Sequence, residues 1–243
     1  MISGTHEHID EKPKVALIVG ASGLIGQHLL LSLLSSTAYS KVIALVRKPL
    51  AKAHPKLEQW QINFEHLAAE LITQKSSGEN QQNKTTNASN RIKVDHIFCT
   101  LGSTIKKAGS KAAFTEIDYH YPLIIAKYFY QQNTALFAIV TAMSAKQSSP
   151  IFYNQIKGRI ESSLSDIGYS HLGIFRPSML SGQHDEFRLG EQVATILMNA
   201  LAFIIPKKHR VIQARKVANA MLAYAKNPAT GVYIIQSDQL QSY

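Results

Sequence analysis

The chain has 243 residues and a formal net charge of +10. Its length favours one α/β domain, and its 45% hydrophobic and 17% charged residues are ordinary for a globular protein. One cysteine excludes an intrachain disulfide and a zinc site built from several cysteines. The ten histidines show no metal-ligand spacing, so we expect no metal site. The positive residues are scattered along the chain, so we expect no nucleic-acid binding.

The chain begins with a polar segment, residues 1–13, which we expect to be a flexible tail ahead of a domain over 14–243. The tail lacks the apolar stretch of a signal peptide, which favours a cytoplasmic protein. The longest apolar run, residues 193–206, is too short to span a bilayer. We interpret it as a cover over a substrate pocket, with a dimer face or a membrane contact as the alternatives.

Apolar runs rich in β-branched residues alternate with stretches of helical spacing. Such runs predict strands that are buried on both faces. The predicted strands cover residues 15–19, 41–46, 60–64, 94–99, 136–141, 171–175 and 231–235. The predicted helices cover residues 24–34, 67–72 and 112–130, with a further helix from about residue 150. The alternation predicts an α/β fold, a Rossmann-type doubly wound parallel sheet with helices on both faces.

Two helices carry proline signals. Pro122 is expected to mark a kink or a restart within 112–130. Pro150 follows Ser148 and Ser149, which suits an N-cap and a first-turn proline.

Between the third and fourth strands, residues 74–90 have almost no apolar side chain. This composition predicts a mobile polar surface loop, with partner binding as the alternative role.

The segment GASGLIG, residues 20–26, stands between the first strand and the first helix. Gly20 permits a tight turn, Gly23 lets the backbone approach a pyrophosphate, and Gly26 lets the helix pack closely on the sheet. The helix N-terminus supplies N–H groups and a partial positive charge for an anion. The segment therefore predicts dinucleotide binding by Gly20, Ser22, Gly23, Leu24, Ile25 and Gly26.

The end of the second strand indicates which dinucleotide is bound. NAD-selective proteins usually place an acid there for the ribose 2′-OH, whereas this chain has Arg47 and Lys48 and no acid nearby. Arg47 can hold a 2′-phosphate with two N–H donors, Lys48 is expected to contact the cofactor beside it, and Ser22 can add a hydroxyl. We therefore expect NADP(H) to be preferred over NAD(H).

Other strand ends complete the predicted cofactor site. Asn63, at the end of the third strand, is expected to bond the adenine. Leu101 and Gly102, after the fourth strand, are expected to lie against the adenosine ribose, and Pro177, after the sixth, to flank the nicotinamide.

Tyr153 and Lys157 form a YxxxK pattern near the start of a predicted helix. Positions four residues apart share a helix face, so the phenol and the ammonium are expected to point into one pocket. A neighbouring cation favours the phenolate form of a tyrosine, which can then exchange protons near neutral pH. We predict that Tyr153 protonates a carbonyl oxygen or deprotonates an alcohol, and that Lys157 also holds the nicotinamide ribose.

A third hydroxyl normally steadies the substrate oxygen beside such a tyrosine. Thr141 ends the fifth strand, and Ser144 lies three residues further on. We favour Thr141, because the carboxyl end of a parallel strand faces the ligand crevice.

Several motifs together resemble one known family. GASGLIG, CTLGST, the Ala108-Gly109 step, TAMSA followed by FYNQIKG, and FRPSML are similar in order and spacing to the atypical short-chain dehydrogenase/reductases. The closest branch is the Tat-interacting-protein, oxidoreductase-like one, and the similarity runs from Lys14 to about Ile235. It implies a Rossmann fold, NADP(H) binding and the Tyr153/Lys157 pair.

The resemblance also implies a small C-terminal substrate region at about 183–230, around Arg188, Leu189, Gly190 and Glu191. Two positions depart from the branch: Thr141 stands where serine is usual, and Asn63 stands where aspartate is common.

These features predict an NADP(H)-dependent oxidoreductase acting on a carbonyl or alcohol. The alternative is an NADP(H)-binding redox sensor or protein-interaction module with little or no turnover. That reading is favoured by the threonine at 141 and the polar insert at 74–90. A nucleotide-sugar epimerase-like enzyme is less favoured, because the region after the sixth strand is short. A homodimer or another protein partner stays open.

Overall fold

A computed structural model describes residues 12–76, 93–181 and 210–243. The strands are β1 (Lys14–Val19), β2 (Tyr39–Val46), β3 (Leu57–Gln61), β4 (His96–Cys99), β5 (Leu136–Val140), β6 (His171–Arg176), β7 (Leu180–Ser181), β8 (Ile212–Gln213) and β9 (Gly231–Gln236). The helices are α1 (Leu24–Ser35), α2 (Leu67–Ser76), α3 (Ile105–Ala108), α4 (Lys111–Thr115), α5 (Tyr121–Tyr130), α6 (Phe152–Ser165), α7 (Ala214–Lys226) and α8 (Ser237–Leu240). A 3₁₀ turn, Phe64–His66, precedes α2, and a π-helical turn, Glu116–His120, joins α4 to α5.

Within the described ranges, seven strands form one sheet in the order β3-β2-β1-β4-β5-β6-β9, and every neighbouring pair is parallel. The predicted doubly wound Rossmann-type sheet is therefore confirmed. Strand order reverses between β1 and β4, and in such sheets ligands bind in the crevice beyond the strand ends at that point. The glycine segment follows β1, and residues 100–104 follow β4, so both lie at this crevice.

The core has two halves, one on each face of the sheet. Successive residues of β1 point to opposite faces, so Ala16 and Ile18 join one half while Leu17 and Val19 join the other. All four are fully buried. Helices α1 and α7 cover the first half, and α2, α5 and α6 cover the second. Burial on both faces explains why β1 is apolar without alternation.

Several boundaries differ from the sequence predictions, and three of these differences are informative. Strand β3 covers Leu57–Gln61 rather than 60–64, since it is a partly exposed edge strand whose apolar signal is weak. The helix predicted over 112–130 is interrupted by the π-helical turn, and Pro122 lies in the first turn of α5. Helix α6 begins at Phe152 with Ile151 as its N-cap, so the predicted first-turn role of Pro150 was wrong. The Ser149 hydroxyl instead accepts the Ile151 N–H.

Other predictions concern parts of the chain outside the described residues. These are most of the tail at 1–13, most of the insert at 74–90, the apolar run at 193–206, and Arg188 to Glu191. Of the predicted substrate region at 183–230, residues 214–226 form α7, which packs on α1. Over the described ranges, no helix has the length and apolar character needed to cross a membrane.

Candidate active site

The glycine loop leaves no room for side chains at two of its glycines. Gly20 has a φ of +84°, and a Cβ there would lie 2.7 Å from the carbonyl carbon of Thr100. A Cβ on Gly26 would lie 2.0 Å from the carbonyl oxygen of Gly20. Gly23 is the N-cap of α1 and supplies no side-chain cap, and its own N–H donates to the Gly20 carbonyl at 2.9 Å. The first N–H groups of α1, at Leu24 and Ile25, have no intrahelical partner and suit an anion.

Thr100, at the end of β4, ties this loop to the sheet. Its hydroxyl donates to the Val19 carbonyl at 2.9 Å and lies 3.1 Å from the Gly20 carbonyl oxygen. The loop is thus held by a side chain 80 residues away from Gly20 in sequence. Together the uncapped helix end and the backbone cradle that a Cβ would fill fit the pyrophosphate of a dinucleotide.

A cleft of about 660 Å³ opens beyond β2 and β3. Arg47 and Asn63, which were both predicted to bind the cofactor, line this cleft. The Asn63 side-chain oxygen accepts the Glu65 N–H at 3.0 Å, which leaves its amide donors for a ligand. Lys48 is exposed and is not among the lining residues. The other lining residues are Gln61, Ile62, Phe64, Glu65, Ala113, Glu116, Ile117 and Tyr121.

The cleft carries charges of both signs. Burial and the carboxylates of Glu116 and Glu65 raise the pKa of Tyr121, while Arg47 opposes this shift. The Tyr121 phenol is therefore neutral at physiological pH and can act as a hydrogen-bond donor. Its ring packs edge-on against Phe64, with the ring centroids 5.3 Å apart.

Tyr153 and Lys157 lie on one face of α6, at the carboxyl edge of the sheet. The Lys157 ammonium is 6.0 Å from the centroid of the Tyr153 ring. Tyr153 is half-buried and packs against Phe114, with centroids 5.4 Å apart. Helix α6 approaches the loop after β5 so closely that a Cβ on Gly158 would lie 2.2 Å from the Gln147 nitrogen.

The Lys157 side chain is 5% exposed and forms an ion pair with Asp118, whose side chain is fully buried. The Lys157 Nζ and Asp118 Oδ1 atoms are 2.6 Å apart. The other carboxylate oxygen of Asp118 accepts the Ser103 N–H at 3.0 Å. Burial lowers the pKa of Lys157, but the interactions with Asp118, Tyr153 and Cys99 together raise it more, so the net pKa is raised. The amine is therefore charged at neutral pH.

Leu101 and Gly102 connect the two ends of the site. The Leu101 nitrogen would be 2.8 Å from a Cβ on Gly20, so this loop lies directly on the glycine loop. A Cβ on Gly102 would be 3.7 Å from both Asp118 Oδ1 and Lys157 Nζ. The backbone after β4 therefore runs from the glycine loop to the ion pair.

The Thr141 hydroxyl, which was expected to steady the substrate oxygen, forms a hydrogen bond within the protein. This buried hydroxyl donates to Glu161 Oε1 at 2.6 Å. Glu161 is also paired with Arg176, whose Nε donates to the same oxygen at 3.0 Å. A buried carboxylate is stable only when it accepts hydrogen bonds. The Thr141 hydroxyl is therefore oriented toward Glu161. The assignment of the substrate-contacting hydroxyl to Thr141 rather than Ser144 stays a prediction.

Ser144 is exposed on the loop after β5, and among the described residues its hydroxyl has no hydrogen-bond partner. Pro177 is buried after β6, and its carbonyl accepts the Met143 N–H at 3.0 Å. The two loops that bound the proposed nicotinamide end are thus joined through their backbones.

Sequence reasoning missed Asp118 and the Glu161–Arg176 pair. Glu161 follows Lys157 by four residues, as Lys157 follows Tyr153, so its position on the same face of α6 could have been predicted. Asp118 had no such signal, because it meets Lys157 from a different helix.

Solved structures of low sequence identity share this fold. The Bordetella bronchiseptica enzyme WbmH, determined in complex with NAD+, has a TM-score of 0.65 at 17% identity, covering 92% of this chain and 76% of that one. A short chain dehydrogenase/reductase family oxidoreductase from Burkholderia thailandensis has a TM-score of 0.62 at 15% identity, covering 95% and 94%. These likenesses show the Rossmann fold of the short-chain dehydrogenase/reductases.

Two curated relatives each share 28% of aligned residues with the chain. Rattus norvegicus protein HTATIP2 aligns over 221 residues, which are 90% of this chain and 84% of the relative. Coccidioides immitis protein FMP52, mitochondrial, aligns over 195 residues, which are 77% and 74%. Several fungal relatives carry the same mitochondrial name. The expected cytoplasmic location is therefore contradicted, since the absence of a signal peptide does not distinguish cytoplasm from mitochondrion.

The resemblance to the atypical, HTATIP2-like short-chain dehydrogenase/reductases is confirmed by the relatives and the fold. The HIM1 family profile matches residues 53–210, well over half of the chain. The chain belongs to the HIM1 family.

Proposed function

We propose that this protein is an NADP(H)-dependent oxidoreductase that interconverts a carbonyl and an alcohol, with Tyr153 as the general acid and base. One observation carries the proposal: α6 presents Tyr153 beside the charged, buried Lys157 at the edge of the sheet where the glycine loop lies. A phenol next to a fixed cation, at the edge where this fold binds nucleotides, suits proton transfer to a reacting oxygen.

The glycine loop and the uncapped end of α1 fit the pyrophosphate, and Arg47, Asn63 and Tyr121 would hold the adenosine end. The predicted preference for NADP(H) is supported by Arg47 at the rim of the cleft, since a guanidinium pairs well with a phosphate. When bound, the cofactor supplies or accepts the hydride. Lys157 would bond the nicotinamide ribose, because its ammonium has three donors and its ion pair with a single Asp118 oxygen engages at most one of them.

In carbonyl reduction, the carbon gains a hydride and the oxygen gains a proton. Tyr153 would give that proton from its phenol, and it would take the proton back from the alcohol in the reverse direction. Ser144 would steady the substrate oxygen, since the Thr141 hydroxyl is already donated to Glu161. Lys157 stabilises the phenolate that remains on Tyr153.

The proposal is tested by calorimetric titration with NADPH and NADH, followed by turnover with a panel of aldehydes, ketones and quinones. Tyr153→Phe is expected to lose at least about a hundredfold in kcat, as for a removed general acid, while NADPH binds as before. Tyr128→Phe is the matched control, because that hydroxyl donates to the Leu71 carbonyl between two helices. Equal activity of Tyr153→Phe and the wild type would overturn the assignment of Tyr153.

A cofactor-binding sensor with little turnover is the second candidate. It is favoured by the engagement of the Thr141 hydroxyl with Glu161, which removes one substrate-binding hydroxyl. Tight NADPH binding without turnover on the whole panel would support this second candidate. Failure to bind either dinucleotide would exclude both.

We also propose a mitochondrial location, supported by the names of the fungal relatives. Subcellular fractionation of cells that make the C-terminally tagged full chain would test it. Recovery of the protein only in the soluble cytoplasmic fraction would overturn it.

A further inference from the structure

The turn between α4 and α5 places one carboxylate beneath the proposed active site. Asp118 lies in the π-helical turn Glu116–His120, and its side chain is fully buried. The extra residue in a π-helical turn rotates the side chains that follow it, and such turns often occur at functional sites. A fully buried carboxylate requires a specific partner, and the partner here is the ammonium of Lys157.

Asp118 joins two parts of the site that are distant in sequence. One of its oxygens pairs with Lys157 of α6 at 2.6 Å, and the other accepts the Ser103 N–H, from the loop after β4, at 3.0 Å. The pair is covered by the same loop, since a Cβ on Gly102 would touch both charged atoms at 3.7 Å. The ammonium is thus held by Asp118 under the loop that follows β4.

We propose that Asp118 is a positioning residue, which holds the Lys157 ammonium charged and in register with Tyr153 beneath the loop that follows β4. The inference rests on the proposed function, in which Lys157 bonds the cofactor ribose. Without the carboxylate, a buried amine would favour its neutral form. The neutral amine would no longer stabilise the Tyr153 phenolate by its charge, and it would have one N–H donor fewer.

The titratable groups that face the ammonium, over the described residues, are Asp118 from the π-helical turn, Tyr153 from its own helix and Cys99 from β4. Of these, Asp118 raises the pKa of Lys157 most. Removing the Asp118 charge should therefore move the loss of the Lys157 proton to lower pH. The affinity for NADPH should then fall as pH rises, within a range where the wild type is constant.

The test is NADPH affinity by calorimetry between pH ~7 and ~9.5, a range in which an ordinary lysine stays charged. Asp118→Asn keeps the size of the side chain and an acceptor for the Ser103 N–H. It is expected to bind about tenfold more weakly than the wild type at the alkaline end, with a smaller loss at pH ~7. An affinity and pH dependence equal to those of the wild type would overturn the proposal.

Glu161→Gln is the matched control. It also removes a buried carboxylate from an ion pair, but the partner is Arg176, which stays charged at all these pH values. A purely structural loss would appear in both variants without a new pH dependence, and that outcome would overturn the proposal. A pH dependence confined to Asp118→Asn supports it.

A second readout does not depend on cofactor. Free energies of unfolding are measured for Asp118→Asn, for Lys157→Met and for the double variant. If the two side chains act as a pair, the double variant is more stable than the sum of the single losses predicts. Additive losses would overturn the proposal, and should Asp118→Asn not fold, recovery of folding in the double variant would support it. If the wild type binds no dinucleotide, the proposed function fails, and this comparison still decides whether Asp118 holds Lys157.

Discussion

The Thr141 hydroxyl donates to Glu161 on α6, four residues beyond Lys157 on the same helix. The hydroxyl that was expected to contact the substrate therefore donates to a buried carboxylate. We therefore expect the Thr141 hydroxyl to stabilise the fold and the Ser144 hydroxyl to contact the substrate. Substitutions at the two positions should have different effects on stability and activity.

Thr141→Val is expected to lower the free energy of unfolding by about 1–3 kcal/mol, because Glu161 loses a donor in a buried site. Its kcat should change by less than about threefold relative to the wild type. Ser144→Ala, on the exposed loop, should leave stability within about 0.5 kcal/mol but lower kcat by about tenfold or more. Denaturant unfolding and steady-state kinetics on both variants check this. The reverse pattern would return the substrate-binding role to Thr141.

Arg47→Gln should weaken NADPH binding by about 10- to 100-fold, as for the loss of a charge-assisted contact to a phosphate. NADH, which lacks the 2′-phosphate, should bind with nearly unchanged affinity. Calorimetric titration with both dinucleotides measures the ratio. Lys48→Gln is the control, since Lys48 does not line the cleft, and it should change the ratio little. An equal loss for both dinucleotides would contradict the proposed 2′-phosphate contact.

Gly26→Ala should destabilise the fold by about 1–3 kcal/mol and abolish dinucleotide binding, because its Cβ would lie 2.0 Å from the Gly20 carbonyl oxygen. Gly231→Ala is a useful comparison. Gly231 also has a positive φ, +77°, but no atom of the described residues lies within 4 Å of a Cβ added there. Its cost should be about 1 kcal/mol of backbone strain, with cofactor binding intact. Thermal unfolding and NADPH titration compare the two variants.

Cys99 is one of several buried groups that lower the stability of the protein at alkaline pH. Burial raises the pKa of its thiol from the ordinary value of 9.0 to about 12. The folded thiol therefore keeps its proton while the unfolded thiol loses it, so the stabilising contribution is full below pH ~9 and is lost as pH rises toward ~12. The raised pKa of Lys157 acts in the same direction at still higher pH.

The free energy of unfolding, measured in urea at several pH values, should accordingly decrease from pH ~9 upward. Cys99→Ala should give a shallower decrease between pH ~9 and ~11, whatever its stability at pH ~7. Parallel curves for the two proteins would show that the thiol does not contribute.

The sheet could be read from the sequence wherever its strands are buried on both faces. Strands β1, β2 and β5 are nearly continuous apolar runs, because helices cover both of their sides. Strand β3 was displaced by three residues, since an edge strand with half-exposed side chains gives no such run. Helix α7 was not predicted, although Val217, Met221 and Tyr224 mark its buried face at helical spacing.

The candidate site was predictable where a local motif specifies it. The residues of the glycine segment, and the pair Tyr153 and Lys157, are close together in sequence. Their relative positions therefore follow from the regular geometry of a turn and a helix. Asp118 could not be found in this way, because its contact with Lys157 depends on how α6 packs beside the π-helical turn. The direction of the Thr141 hydroxyl was likewise decided by Glu161, from another element.

The tie between Thr100 and the glycine loop has a consequence for the thermodynamics of cofactor binding. The loop is already held by the sheet before a dinucleotide arrives, so association spends little conformational entropy on ordering it. The favourable enthalpy of the phosphate contacts is then opposed by only a small unfavourable entropy of loop ordering. Thr100→Val should therefore shift the balance measured by calorimetry, with a more unfavourable binding entropy and a similar enthalpy.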